Sequence, residues 1–413
     1  MTFQEKITQY AELAVQVGVN VQKGQEVLVQ CPVECAFFAR AIAEASFKAG
    51  AKDVIVHYTD DLLQRIRLEH ASTQTLVDIP AWKAESHNYY ANRDSVFLMI
   101  TSSDPTVLEG IDPQKIAAQR KASRQATKPT VDARMSGSMR WNICAVPSMG
   151  WAQKVFPHCP PEEAMKKLWD AIFSAVQIGE SDPIALWKQH QQKLDERTDY
   201  LNRMRFDALH YTNSLGTDLT VGLPENHRWR GGGEYGPTGV FFVPNMPTEE
   251  VFTLPHKDRV SGTVVSALPL NYSGSLIEGF SFTFQDGKIV DFSAKTGYET
   301  LKALLETDEG AKRLGEVALI PYHSRISDLK ILFYNTLFDE NASCHLALGD
   351  SYTDCLQDYD RMTEEEIRQS GANQSLIHVD FMIGSSDLTI TGISKDGKET
   401  LLFQDGDWAP SAK

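Results

Sequence analysis

The chain has 413 residues, 42% of them hydrophobic and 23% charged, with a formal net charge of -15. The length exceeds a usual single core and argues for two domains, and the composition is ordinary for a soluble globular enzyme. The negative balance excludes nucleic acid and anionic membrane as partners, because both bind a positive surface, and it suits an acidic cavity that attracts an amine or a metal.

At the N-terminus, Met1-Thr-Phe-Gln-Glu-Lys6 has no apolar stretch behind a basic start, so no secretory signal is expected. Nothing approaches the ~20 apolar residues of a membrane span. Residues 26–30 form the first expected strand. Residues 34–48 then show helical spacing and stop at Gly50, a natural C-cap. Further strands are expected at 53–58, 95–101 and 141–146. Runs that are apolar on both faces and separated by helices imply a parallel sheet covered on both sides.

The six cysteines contain no Cys-x-x-Cys pair, and such sparse usage fits reduced thiols in a cytoplasm. Cys31-x-x-x-Cys35 is half of a metal pattern without a matching half, so buried thiols at a strand–helix junction are expected.

Helices at about 161–178 and 182–204 lead to a different texture. From Phe206 onward the chain reads as β-rich. Phe280-Ser-Phe-Thr-Phe-Gln285 alternates, and Asp286-Gly287 separates it from Lys288-Ile-Val-Asp-Phe292. Asp-Gly between alternating runs predicts a hairpin, and Asp396-Gly397 repeats the pattern. The expected architecture is an α/β N-terminal domain with a mostly parallel sheet, residues 1–200. An α+β C-terminal metal-binding domain rich in antiparallel strands follows, residues 201–413.

The second half carries the chemistry. Glu250, Glu316, His345, His378 and Asp380 are carboxylates and imidazoles suited to zinc, cobalt or manganese. Five such ligands are too many for one tetrahedral ion with an open position, and they suit two ions held together in a hydrolase. In Leu376-Ile-His-Val-Asp-Phe-Met-Ile-Gly384, a strand puts His378 and Asp380 on one face and Ile377, Val379, Phe381 and Ile383 on the other. A helix is expected at 308–314, ending at Gly315, with Glu316 opening the apolar strand 317–320. Glu249 and Glu250 are adjacent, so on extended chain they face opposite ways and can take different roles. His345 follows a polar turn, Asp339-Glu-Asn-Ala-Ser-Cys344, and Tyr352 lies seven residues later, where its hydroxyl suits a developing oxyanion. Plain structural readings stand beside these: a solvated strand face, surface glutamates, a buried tyrosine.

Other motifs fail. Gly231-Gly-Gly233-Glu-Tyr-Gly236 matches Gly-x-Gly-x-x-Gly in form, but Pro237 and a strand-like run follow it instead of a helix. A flexible loop near the ligands fits better. There is no Walker A loop, no His-Glu-x-x-His and no Gly-x-Ser-x-Gly elbow.

Three strings, 245–253, 337–349 and 378–384, resemble the aminopeptidase T and aminopeptidase S (PepS-like) group of bacterial dimetal aminopeptidases, and the resemblance covers essentially the whole chain. It implies an exopeptidase acting on peptides with a free N-terminus, using two divalent cations (Zn²⁺ or Co²⁺, with Mn²⁺ or Mg²⁺ as options). It places the metal ligands on Glu250, Glu316, His345, His378 and Asp380, and an active-site tyrosine on Tyr352. It also implies a homodimer. Asp380 or a glutamate must bridge the ions, and Glu249 is the candidate general base by analogy with other dimetal peptidases. Two other readings remain at this point. One is a different dimetal hydrolase, a phosphoesterase or amidohydrolase, for which Arg228 and Arg230 beside the glycines supply charge. The other is a non-catalytic metal- or ligand-binding protein, which the oxygen-rich ligand set argues against.

Overall fold

The computed structural model describes residues 1–102, 104–272 and 275–412. They divide into two compact units. The first holds residues 1–190 and 233–247, the second 191–232 and 248–413.

The first unit is built on four parallel strands, β1 (Glu26–Pro32), β2 (Asp53–Thr59), β3 (Ser95–Thr101) and β4 (Arg140–Ala145), in the order β4-β3-β1-β2. Residues Asn245–Met246 add a short parallel strand outside β4. The reason lies in composition. β1 buries Val27, Leu28 and Val29 in succession, and β3 buries Val96, Phe97 and Leu98. Apolar side chains on consecutive residues face both sides of a sheet, which is stable only when both sides are covered. Leu28 and Phe97 pack with Ala91, Ala133 and Met139. Each fully buried side chain of this kind contributes about 1.5–3 kcal/mol. The helix after β1 runs Ala36–Lys48 behind a single tight turn, and Gly50 (φ 97°) closes it.

The second unit is antiparallel, as its alternation requires. Eight strands form one sheet, from Lys288–Ser293 at one edge to Asp407–Trp408 at the other. Ser281–Gln285 and Lys288–Ser293 make the expected hairpin, with Asp286 and Gly287 at φ 49° and 77°, the double left-handed geometry of a two-residue turn. Thr389–Ile393 and Glu399–Gln404 pair around Asp396-Gly397. A second sheet holds β5 (Arg230–Gly231), β6 (Val251–Thr253), β7 (Leu314–Leu319), β8 (His345–Gly349) and β9 (His378–Met382), in the order β9-β8-β7-β6-β5. Its core side includes Val251, Val317, Leu319, Leu346, Leu348, Phe381 and Ile383, and Phe381 meets Phe280 and Phe282 at ring distances of 5.9 and 5.2 Å.

One expectation is corrected here. Residues 308–314 are not a helix. Only Gly310–Lys312 turns, and β7 already begins at Leu314. Asp308 caps this single turn, and Arg313 ends it in extended backbone (φ -129°, ψ 158°). The Asp308 carboxylate accepts from the Ala311 amide at 2.8 Å, and from Ser375 Oγ and the Leu376 amide at 2.8 and 2.7 Å. The turn lies so close to the chain beneath it that a Cβ on Gly310 would sit 2.0 Å from the Gln374 carbonyl oxygen. Gly315 is therefore no helix cap. It marks a break in register between β7 and β8, and Glu316 sits inside the strand rather than opening it.

Candidate active site

The site grows out of the alternation in three neighbouring strands. In His345-Leu-Ala-Leu-Gly349, Leu346 and Leu348 enter the core, which turns His345, Ala347 and Gly349 to the opposite face. Glu316 pairs with Ala347, Asp380 with Ala347 from the other side, and His378 with Gly349. Four ionisable side chains thus share one face. The residues between them are small, Ala318, Ala347 and Gly349, so the long side chains converge over open backbone. Gly349 has no alternative: at φ 102°, a Cβ would stand 2.1 Å from the Ile377 carbonyl oxygen. Glu250 arrives from the residue preceding β6. The backbone there is approached closely by Gly231, whose added Cβ would lie 2.8 Å from the Glu250 carbonyl oxygen. Of the glycine run expected as a flexible loop near the ligands, Gly231 lies there, paired in a strand, while residues 233–236 belong to the first unit.

The distances define two overlapping groups. Glu250, Glu316 and His345 form one, and Glu316, His378 and Asp380 the other, each with ligand atoms within 4.8 Å of one another. His345 Nε2 is 3.4 Å from Glu250 Oε2 and 3.8 Å from Glu316 Oε1. His378 Nε2 is 2.9 Å from Glu316 Oε2 and 3.3 Å from Asp380 Oδ1. The two oxygens of Glu316 therefore face different imidazoles. Glu250, Glu316 and His345 are buried, and His378 and Asp380 are half-buried.

Backbone carbonyls fix both tautomers. His345 Nδ1 lies 2.9 Å from the Glu340 carbonyl, and His378 Nδ1 lies 2.7 Å from the Asp350 carbonyl. A carbonyl only accepts, so each Nδ1 carries a proton and each Nε2 turns to the carboxylates. This is how metal-ligating histidines are ordinarily oriented. His378 Nε2 and Asp380 Oδ1 are buried and make no aligned hydrogen bond despite their closeness. Two acceptors face each other there, and a proton or a cation must lie between them.

The electrostatics agree. Burial pushes the Glu250 carboxyl up to about 8, against the pull of His345. Burial opposes a charge on His345, yet Glu316 and the neighbouring acids carry it up to about 10. His378 is raised in the same way by Asp380 and Glu316. Burial also works against Glu316 and Asp380, but the two histidines hold both carboxyls below their ordinary values. Buried charges of this density persist only when paired or when they coordinate metal. The donor set of carboxylate oxygens and imidazole nitrogens fits divalent zinc, cobalt or manganese.

Glu249 is half-buried beside Glu250, and its amide donates to Asn341 Oδ1 at 2.8 Å. The Tyr352 ring is 37% exposed and lies tilted against His378 (ring centroids 4.7 Å) and edge-on to Phe252 (5.7 Å). Burial of its hydroxyl, then the Glu316 and Asp380 carboxylates, raise the phenol well above its ordinary value, so it stays a donor.

Glu340 was missed in the sequence. Burial, then the charges of Asp380 and Glu250, push its carboxyl well up, which places it in the field of the cluster. In Asp339-Glu-Asn-Ala it looked like one more turn residue. The short helix Thr336–Asp339 and the turn after it bring it there, and no periodic signal marks such a segment. Asp339, at the end of that helix, ties it back to the chain before it, accepting from the amides of Phe333 and Asn335 at 2.8 and 3.0 Å.

Comparison with known proteins places this geometry. The thermophilic metalloprotease (M29) family matches residues 3–408. The chain is 46% identical to "Aminopeptidase 2" of Geobacillus stearothermophilus over 407 residues, 98% of each chain. It is 43% identical to "Aminopeptidase T" of Thermus thermophilus, covering 98% of this chain and 99% of that one. The solved structure of wild-type AmpT from Thermus thermophilus superposes with a TM-score of 0.93 at 42% identity, covering 99% of this chain and all of the other. The cluster of acids and imidazoles, the two-unit fold and these full-length matches agree: the chain belongs to the M29 family of metalloproteases, enzymes that hydrolyse peptides with a divalent metal.

Proposed function

We propose that this chain is a metal-dependent aminopeptidase that removes N-terminal residues from peptides. Glu250, Glu316, His345, His378 and Asp380 would hold two divalent cations, and Glu316 would serve both. One observation carries this reading: Glu316 belongs to both ligand groups and presents a different oxygen to each histidine. Asp380, the other candidate bridge, belongs to one group alone.

Bound cations of this kind polarise a carbonyl and lower the pKa of water toward neutral. The protein supplies the rest. Burial and the neighbouring acids push the carboxyls of Glu250 and Glu340 up, so both keep protons in the cation-free cluster, where Glu316 and Asp380 carry the charge that balances the two imidazoles. Tyr352 keeps its proton and is placed to donate it to a developing oxyanion. Two residues compete for the general base. Glu249 lies next to a ligand and outside both ligand groups. Glu340 is favoured by the raised proton affinity of its carboxyl, which the cluster itself imposes.

Family membership favours peptide hydrolysis over the phosphoesterase and binding-protein readings. Zinc or cobalt suits the mixed nitrogen and oxygen donors. A homodimer is supported by the exposed Leu62, Leu63 and Ile66 on one helix of the first unit. A cytoplasmic location is supported by six free cysteines. Among the described residues, no helix is long and apolar enough to cross a membrane.

The test is amino-acid release from short peptides, blocked or unblocked at the N-terminus, after chelation and re-addition of Zn²⁺, Co²⁺, Mn²⁺ or Mg²⁺. Cleavage confined to unblocked peptides and restored by a cation supports the proposal. Cleavage that survives chelation, or that ignores the block, overturns it.

A further inference from the structure

Two asparagines are almost fully enclosed in the second unit, and each is bonded to backbone on one side of the candidate centre. Asn341 is 0% exposed and Asn373 3%. Burying a primary amide is unfavourable unless its hydrogen bonds are made, so each position is held by the bonds it forms.

Asn341 Oδ1 accepts from the Glu249 amide at 2.8 Å, and its Nδ2 donates to the Leu337 carbonyl at 3.0 Å and toward Glu340 Oε1 at 3.4 Å. It ties the segment that delivers Glu250 to the turn that delivers Glu340. The Glu340 carbonyl in turn holds His345 Nδ1. Asn373 Nδ2 donates to the carbonyls of Gly310 and Gly349 at 2.8 and 2.6 Å, its amide donates to Ser351 Oγ at 3.1 Å, and its carbonyl accepts from the Ser351 amide at 3.1 Å. It fixes the segment 349–351. The Asp350 carbonyl in that segment holds His378 Nδ1, and Tyr352 follows directly.

We infer that Asn341 and Asn373 are positioning residues that act separately on the two halves of the centre, Asn341 on the Glu250–His345 half and Asn373 on the His378–Asp380 half. The inference rests on the two-cation reading above. Neither asparagine belongs to a ligand group; each acts through a backbone segment that carries ligands. Loss of one should therefore loosen one half and spare the other, apart from the shared Glu316. Residues that orient ligands in this way typically contribute about 10–100-fold in metal affinity.

The experiment is a Co²⁺ titration of the chelated full-length protein, followed by heat of binding and by the visible spectrum of the bound ion. Glu250→Gln and Asp380→Asn identify which binding step belongs to which half. Asn341→Ala is expected to weaken the step that Glu250→Gln weakens, by roughly 10–100-fold, and Asn373→Ala the step that Asp380→Asn weakens. Should an alanine variant not fold, aspartate variants replace it. Asn341→Asp keeps the acceptor for the Glu249 amide but loses the donor to the Leu337 carbonyl and Glu340, and Asn373→Asp loses both of its donors, so each should weaken its own step and spare the other. A drop in melting temperature of the cation-free protein with both steps unchanged makes the asparagines merely structural and overturns the inference. Equal weakening of both steps by either variant overturns it too. If Glu250→Gln and Asp380→Asn themselves leave both steps intact, the two-cation reading fails first and the inference falls with it.

Discussion

β3 and β7 are both largely enclosed strands that serve different ends. β3, Ser95-Val-Phe-Leu-Met-Ile-Thr101, contributes apolar surface to both faces of its sheet and carries no ionisable group. β7, Leu314-Gly-Glu-Val-Ala-Leu319, is buried at every position, yet it keeps a carboxylate in its interior, 4% exposed. Uncompensated, such a group costs several kcal/mol, and a well-packed apolar residue would be the more stable choice. The difference teaches that the first sheet is shaped by burial, whereas the second gives up stability to assemble a charged site.

The comparison breaks most sharply at the ligands. Glu250→Gln or His378→Ala should lower kcat on an aminoacyl substrate by on the order of 10⁴-fold, the scale of losing one member of a catalytic unit. Elemental analysis should show the bound metal falling with it. Near-normal activity in either variant would return these residues to the ordinary surface of a strand. Next come the two base candidates. Glu249→Gln and Glu340→Gln should both retain metal, and the true base should lose ~10²–10⁴-fold in kcat. Steady-state rates at saturating cation decide between them. Tyr352→Phe removes a single donor and should cost about 10²-fold, with the binding of a substrate-like inhibitor almost unchanged.

The protons of the cluster give a finer probe. Without cations, His345 holds its proton up to about 10 and Glu250 up to about 8. Binding must expel those protons, and fewer of them compete as pH rises. Affinity for Co²⁺ should therefore climb between roughly pH 6 and 8. Calorimetry in buffers of different ionisation heat should register proton release. Affinity that is flat with pH would contradict the placement of these charges. The smallest effect on chemistry is expected in β3. Phe97→Ala should destabilise the protein by ~3–5 kcal/mol through the cavity it leaves, read as an earlier denaturant midpoint. The kcat of the folded fraction should not change.

How much of this was legible follows from the same contrast. β3 was found at its observed limits, because an unbroken apolar run has one economical reading between turn signals. The faces of β9 were equally clear, since Phe381 and Ile383 demand the core and leave His378 and Asp380 together on the other side. Glu316 was picked out, but its setting was misread. Residues 308–314 have the composition of a short helix, and only the tertiary setting, with Gly310 pressed against the Gln374 carbonyl and Arg313 extended before β7, shows why it stops after one turn. Glu340 was invisible, because a polar turn has no period and its approach to the cluster depends on a fold-back closed by Asp339 and Asn341. The return of 233–247 to the first unit, with its two-residue strand at Asn245, is likewise too short for any pattern to announce.

The central claim is that one carboxylate, Glu316, serves both cation positions. The direct measurement is the Co²⁺ stoichiometry and affinity of Glu316→Gln, compared with the wild-type chain. The account predicts that both ions are weakened together in this variant, while the protein stays folded. A variant that still binds one ion at wild-type strength would show that the two positions do not share Glu316, and the account would be wrong.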